Sequence, residues 1–236
     1  MFHVKPIDGA EPNPPPAPPS AQGVFSHLLP LAEHFADLLT REATVRGLIG
    51  PREVPRLWER HILNCAVITD LMPEGSTVCD IGSGAGLPGI ALAIRRPDLQ
   101  VTLVEPLLRR TTFLDLAVST MELTNVSVHR GRAEELHGEA VFDVVTSRAV
   151  APMDRLTRWS MPLVKDGGLL LAMKGAAAEQ ELDSAAQVIG RLGGVDPRVL
   201  SVGGEWVTPP VTVVRIRKPG TAGQSRQSGR RPGVGR

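Results

Sequence analysis

The chain of 236 residues has no tyrosine, and only three tryptophans and five phenylalanines. Base stacking, if it occurs at all, must therefore come from Phe or Trp. Cysteine is equally scarce: Cys65 and Cys79 are the only two. Two thiols make no disulfide framework, so a reducing, cytoplasmic compartment is expected. No run approaches the roughly 18 apolar residues of a membrane span. Met1 to Gly9 lacks the apolar region of a signal peptide. A net charge of one sign is missing too, since the formal value is +1. That balance hides an uneven distribution: no acid follows Glu205, whereas Arg215, Arg217, Lys218, Arg226, Arg230, Arg231 and Arg236 do.

Proline is plentiful at the start. Residues 1–20 hold seven prolines, which predicts an extended or disordered arm over 1–22. The Gly/Ser/Arg-rich stretch 219–236 reads as a disordered basic tail. It is either a phosphate-contacting or a merely solubilising end. Phe25, Leu28, Leu29, Ala32, Phe35 and Leu39 recur at helical spacing, as do Val54, Leu57, Trp58, His61, Ile62, Cys65 and Ile68. A helical cap is expected over 23–72. From 73 to 218 strands and helices alternate. Strands are expected at 77–81, 101–105, 126–129, 141–147, 168–174, 198–202 and 211–217, with helices at 87–96, 107–122, 153–161 and 176–192. That alternation predicts an α/β fold with a seven-stranded, mostly parallel sheet. Its ligand belongs beyond the C-terminal strand ends, near the switch in strand order.

The run Asp80-Ile81-Gly82-Ser83-Gly84-Ala85-Gly86-Leu87-Pro88-Gly89 stands at such a strand end. Gly84, Gly86 and Gly89 formally match a dinucleotide fingerprint, but the first of them lies three residues past the strand. Asp80, Gly82, Gly84 and Gly86 match acid-x-Gly-x-Gly-x-Gly in register. That pattern resembles the S-adenosylmethionine (SAM) loop of Rossmann-like class I methyltransferases. SAM carries an ammonium for Asp80 and a carboxylate for loop N–H groups. Glu105, ending the second strand, is placed to accept ribose hydroxyls. Ala133 and Glu134, after the third, could border adenine.

The acceptor is narrowed by what is absent. No Asn/Asp-Pro-Pro-aromatic tetrapeptide stands at the fourth strand, and neither cysteine follows a proline, so adenine-amino and cytosine-C5 chemistry find no signature. Arg148, in Ser147-Arg148-Ala149, suits a phosphate, a carboxylate or a guanine edge; it could equally pair with Asp80 or Glu105. Lys174, ending the fifth strand, faces RNA or simply water. Arg60 and Asn64 are helix neighbours, while His61 lies on the apolar stripe, as a substrate-side or a packing residue. Trp58 reads as core and Trp206 as a loop residue able to stack. No metal ligands are expected.

Together Arg60-His61-Ile62, the loop with its Leu-Pro-Gly continuation, Phe113-Leu114, Ser147-Arg148-Ala149 and Lys174-Gly175 resemble the RsmG (GidB) family over about residues 25–217. The resemblance implies methyl transfer from SAM to N7 of a guanine in the 530 loop of 16S ribosomal RNA. It places SAM contacts on Gly82, Leu87, Ala133, Glu134 and Arg148, with Glu105 as the acid ending the second strand. The partner it implies is 16S rRNA or the small ribosomal subunit; nothing in the sequence demands more than a monomer. Asn64-Cys65 departs from the serine many relatives carry at the second position. Other readings stay open on the residues alone: a small-molecule SAM methyltransferase, or a non-catalytic nucleotide-binding module.

Overall fold

The computed structural model describes residues 13–220. The seven strands are β1 (Thr77–Ile81), β2 (Gln100–Val104), β3 (Val126–His129), β4 (Phe142–Arg148), β5 (Val164–Lys174), β6 (Val195–Val202) and β7 (Val211–Arg217). They form one sheet in the order β3-β2-β1-β4-β5-β7-β6. β1 pairs in parallel with β2 on one side and β4 on the other. β7 runs antiparallel between β5 and β6. The order therefore reverses between β1 and β4, and the crevice expected of an open α/β sheet lies above their ends.

Alternation along the strands sends side chains to two separate cores. Val78, Leu103, Val144 and Leu171 belong to one. Cys79, Ile81, Val145 and Leu170 belong to the other. The second face is covered by α6 (Met153–Ser160) and α7 (Ala178–Arg191) through Leu156, Leu182 and Ala185. The first is covered by α4 (Gly89–Arg95), α5 (Leu108–Thr120) and the N-terminal cap. Cap side chains Phe25, Phe35, Leu57 and Ile62 share a single cluster with Leu92, Leu103 and Phe113.

The cap contains α1 (Pro19–Phe25), α2 (Leu29–Leu38) and, after a turn over Pro51–Arg56, a widened π-type turn at Leu57–Ile62 that runs into α3 (Leu63–Ala66). Leu57, Trp58, Ile62, Cys65 and Ile68 are all buried, as the apolar stripe requires. Two expectations change. The arm foreseen as disordered over 1–22 is ordered in its described part: α1 starts with Pro19 in the first turn, where a missing N–H is harmless. The Trp58 indole donates to Pro15 O at 2.9 Å, anchoring the arm to the cap. Residues 1–12 and 221–236, which carry the rest of the arm and most of the basic tail, lie outside the described residues. The helix expected from Leu87 begins instead at Gly89, with Pro88 as its N-cap; the loop before it holds Gly82, Gly84 and Gly86 at positive φ.

Trp206 is not free to stack. Its ring lies against α1, where a Cβ on Gly23 would come within 2.0 Å of Cζ3. Alanine normally improves on glycine in a helix by about 1 kcal/mol. Gly23→Ala should instead lower the melting temperature by several degrees, since overpacking costs roughly 1–3 kcal/mol. A scan showing Gly23→Ala to be stabilising would contradict this packing.

Candidate functional site

Asp80, one residue before the end of β1, is fully buried. Its Oδ2 accepts the Gly89 N–H at 2.9 Å, while Oδ1 has no hydrogen-bond partner among the described residues. Burial pushes the carboxyl up to about 7; the Gly89 bond opposes the shift and nearby Glu105 adds to it. A buried acceptor with an empty valence is costly unless something meets it.

Glu105 follows β2 and is also buried. It accepts the Gly84 N–H and an Arg110 Nη1 donor, both at 3.1 Å, and the Leu107 N–H at 3.1 Å. The acid expected to take ribose hydroxyls thus braces the glycine loop from behind.

Three cavities meet above the β1–β4 switch. The first, about 490 Å³, is walled by Gly82, Gly84, Leu87, Arg148 and, from the cap, Ile49 and Glu53. The second is a narrow slot of about 160 Å³ between Ile81, Val104, Ala133 and Trp159, edged by Glu134. The third, about 770 Å³, runs from Arg60 and Arg148 to Lys174, Glu181 and Thr212. Gly82 belongs to the first two, Arg148 and Ala149 to the first and third, and Val150 to all three. Ala149 is held at φ 53°, a conformation that side chains avoid, so the chain turns sharply where the spaces join.

Gly82, Gly84, Leu87, Ala133, Glu134 and Arg148 therefore converge as expected from the strand ends. Gly86 does not: a Cβ there would meet Ile90 Cδ1 at 2.4 Å, so its glycine serves packing against α4. A Cβ on Gly84, by contrast, would find only Gly82 O, at 3.8 Å, and points to open space at the cavity edge.

Arg148 pairs with neither Asp80 nor Glu105. It reaches across to the cap and donates to Cys65 Sγ at 3.3 Å, to Arg60 O at 3.1 Å and to His61 Nδ1 at 2.7 Å. His61 is accordingly no apolar packing group. Its Nε2 meets Glu53 Oε2 at 2.9 Å. Burial, then the Arg148 charge, holds His61 below its ordinary pKa. Lys174 is not a solvated strand end either. With 7% of its side chain exposed, it donates to Glu181 Oε2 at 2.8 Å and to Ala151 O at 2.6 Å. It thereby ties α7 to the loop after β4 along the edge of the third cavity.

Glu53, Val150 and Trp159 were missed by sequence reasoning. Glu53 sits among charged residues in an irregular turn, and Trp159 near the end of an amphipathic helix. Neither carries a local signature, and only the fold brings them to the site.

Seven strands in this order, a glycine loop at the switch and an orphaned acid behind it define a Rossmann-like, SAM-dependent methyltransferase. The architecture is similar to that of a SAM-dependent O-methyltransferase from Thermotoga maritima, with a TM-score of 0.52 and 15% identity over 64% of this chain and 63% of that one. It is likewise similar to an O-methyltransferase family protein from Burkholderia thailandensis, with a TM-score of 0.53 and 16% identity over 84% and 64%. The family model described as GidB, rRNA small subunit methyltransferase G, matches residues 29–206. Proteins named ribosomal RNA small subunit methyltransferase G are similar over most of their length. That of Thermobifida fusca is 52% identical, covering 91% of this chain and 92% of its own; that of Streptomyces avermitilis is 56% identical, covering 86% and 85%. The chain belongs to the GidB family of rRNA small subunit methyltransferases G.

Proposed function

We propose that the protein transfers a methyl group from SAM to N7 of a guanine in the 530 loop of 16S rRNA. The observation that carries this reading is the adjacency of the cavities. A space with an orphaned acid behind it and an open glycine edge adjoins, across Arg148–Val150, a larger cleft with Arg60, Arg148 and Lys174 on its walls. The residues fit SAM on two counts. The empty valence of Asp80 Oδ1 asks for a donor such as the ammonium, and the open edge at Gly84 leaves room against the backbone. The slot under Trp159 is apolar enough for adenine, with Glu134 at its rim. SAM supplies an electrophilic methyl group on a sulfonium.

The chain's own residues then have little acid–base work to do. Guanine N7 carries an in-plane lone pair at neutral pH, so no proton has to leave before attack. His61 is engaged on both ring nitrogens, and the two thiols are buried. Arg148 stands between donor and acceptor spaces, where a guanidinium can orient a base edge or phosphate. Positioning and exclusion of water supply the rate. Among the described residues no helix is long and apolar enough to cross a membrane, and no group of acids, histidines and cysteines could hold a metal. An enzyme acting on ribosomal RNA works in the cytoplasm, and in this reading it does so as a monomer.

Tritiated SAM offered with small subunits, or with 16S rRNA from a strain lacking the gene, should label RNA as N7-methylguanosine at one position. Label confined to small molecules would favour a metabolite methyltransferase instead.

A further inference from the structure

Arg148 is the charged residue common to the donor and acceptor spaces, and its placement is set from outside the methyltransferase sheet. The guanidinium has donors only, so His61 Nδ1, 2.7 Å from Nη2, must accept. The imidazole proton then resides on Nε2, which points at Glu53 Oε2, 2.9 Å away. Glu53 comes from the Pro51–Arg56 turn, His61 from the widened turn at Leu57–Ile62, and Arg148 from the end of β4. The three form a chain that starts on the cap and ends at the wall between two cavities.

We propose that Glu53 is a positioning residue: by holding His61 in its Nε2–H form, it makes Nδ1 an acceptor that fixes the Arg148 guanidinium between cofactor and acceptor. The inference rests on the reading of those two spaces given above. Without Glu53, the neutral imidazole is free to carry its proton on Nδ1, which then faces a guanidinium donor and turns it away. The charged groups facing the imidazole are Glu53, Arg60 and Arg148. Cys65, which shares Arg148, is kept a neutral thiol chiefly by burial. Protonation of His61 removes the acceptor altogether, so acid should release Arg148. Glu53 favours the charged imidazole; its neutral replacement should therefore move the acid limb of activity to lower pH.

The test uses Glu53→Gln and Glu53→Ala in the full chain. Glutamine can still accept from Nε2–H, and alanine cannot. Long-range proton–nitrogen spectra of the imidazoles, with the His61 signal identified by its absence in His61→Gln, should show one Nε2–H tautomer in the wild type and in Glu53→Gln. A mixture or the opposite tautomer is expected in Glu53→Ala. Methyl transfer to small subunits should fall about tenfold or more in Glu53→Ala, within the range of a lost oriented group. It should stay within a few-fold of wild type in Glu53→Gln, with the acid limb displaced downward. An unchanged His61 tautomer in Glu53→Ala overturns the proposal, even if activity falls, because Glu53 would then act by touching the cofactor or by stability alone. So does a Glu53→Gln enzyme as impaired as Glu53→Ala with an unmoved acid limb. Because the spectra need no substrate, failure of the RNA assay in the wild type would tell against the proposed function and leave the tautomer result standing.

Discussion

Asp80→Asn is expected to weaken SAM binding by ten- to a hundredfold while leaving the protein as stable as before, or more so. The two effects diverge because the carboxylate is badly placed in the empty protein, whereas a bound ammonium would give it a partner. Its Oδ1 is buried without a partner, and burial raises its pKa to about 7. In an unfolded chain an aspartate titrates near 3.9. A folded value above the unfolded one means that the group's contribution to stability is complete below about pH 4. It is lost as pH rises through about 7. Asparagine keeps the shape and can still accept from Gly89, and it cannot ionise, so that loss disappears. A bound ammonium favours the ionised carboxylate, so wild-type affinity should rise between about pH 5 and 8, with a proton released on binding. A charge-assisted hydrogen bond contributes about 1.5–3 kcal/mol, and about 1.4 kcal/mol is tenfold in affinity. Calorimetry in two buffers of different ionisation enthalpy measures both quantities. Wild-type affinity in Asp80→Asn, or affinity flat with pH, would falsify the pairing.

Gly84→Val should abolish measurable SAM binding. Gly84 holds φ +58° at the cavity edge, and the protein leaves its Cβ position open. A branched side chain would occupy that opening and resist the left-handed backbone, at about 1–3 kcal/mol of strain. Binding and stability would both fall, so Gly84→Asn separates them. Asparagine tolerates positive φ far better but still fills the edge. A folded Gly84→Asn protein, checked by its melting temperature, should bind SAM much more weakly than wild type. If it binds as wild type does, the loop is only a turn.

What the sequence could reveal followed from local signals. β1, β3 and β7 stand where their apolar runs predict, and Gly82, Gly84, Leu87, Ala133, Glu134 and Arg148 converge because each belongs to a strand end or the turn after it. Tertiary contacts decide the rest. Glu105 stands at the end of the second strand as expected, and its carboxylate also accepts from Gly84, Leu107 and Arg110, contacts that no local pattern announces. For Arg148 the alternative of an ion pair with Asp80 or Glu105 fails, because its partners lie more than eighty residues earlier, in the cap. For Lys174 the solvated alternative fails, because its partner Glu181 lies one helical turn into another element. Pro19 falls within the arm expected to be disordered, although proline in a first helical turn is favourable and the Trp58 indole takes up the Pro15 carbonyl.

Phe25, Phe35 and Leu57 lie in the same apolar mass as Leu103 beneath the sheet. The boundary drawn near residue 72 is thus a boundary of pattern and not of cohesion. The segment gripping Arg148 cannot swing away like a door without exposing the interior that holds β1 and β2 in place. Under the proposed function the movement then falls to the substrate, whose target base would leave its stack to meet the methyl group.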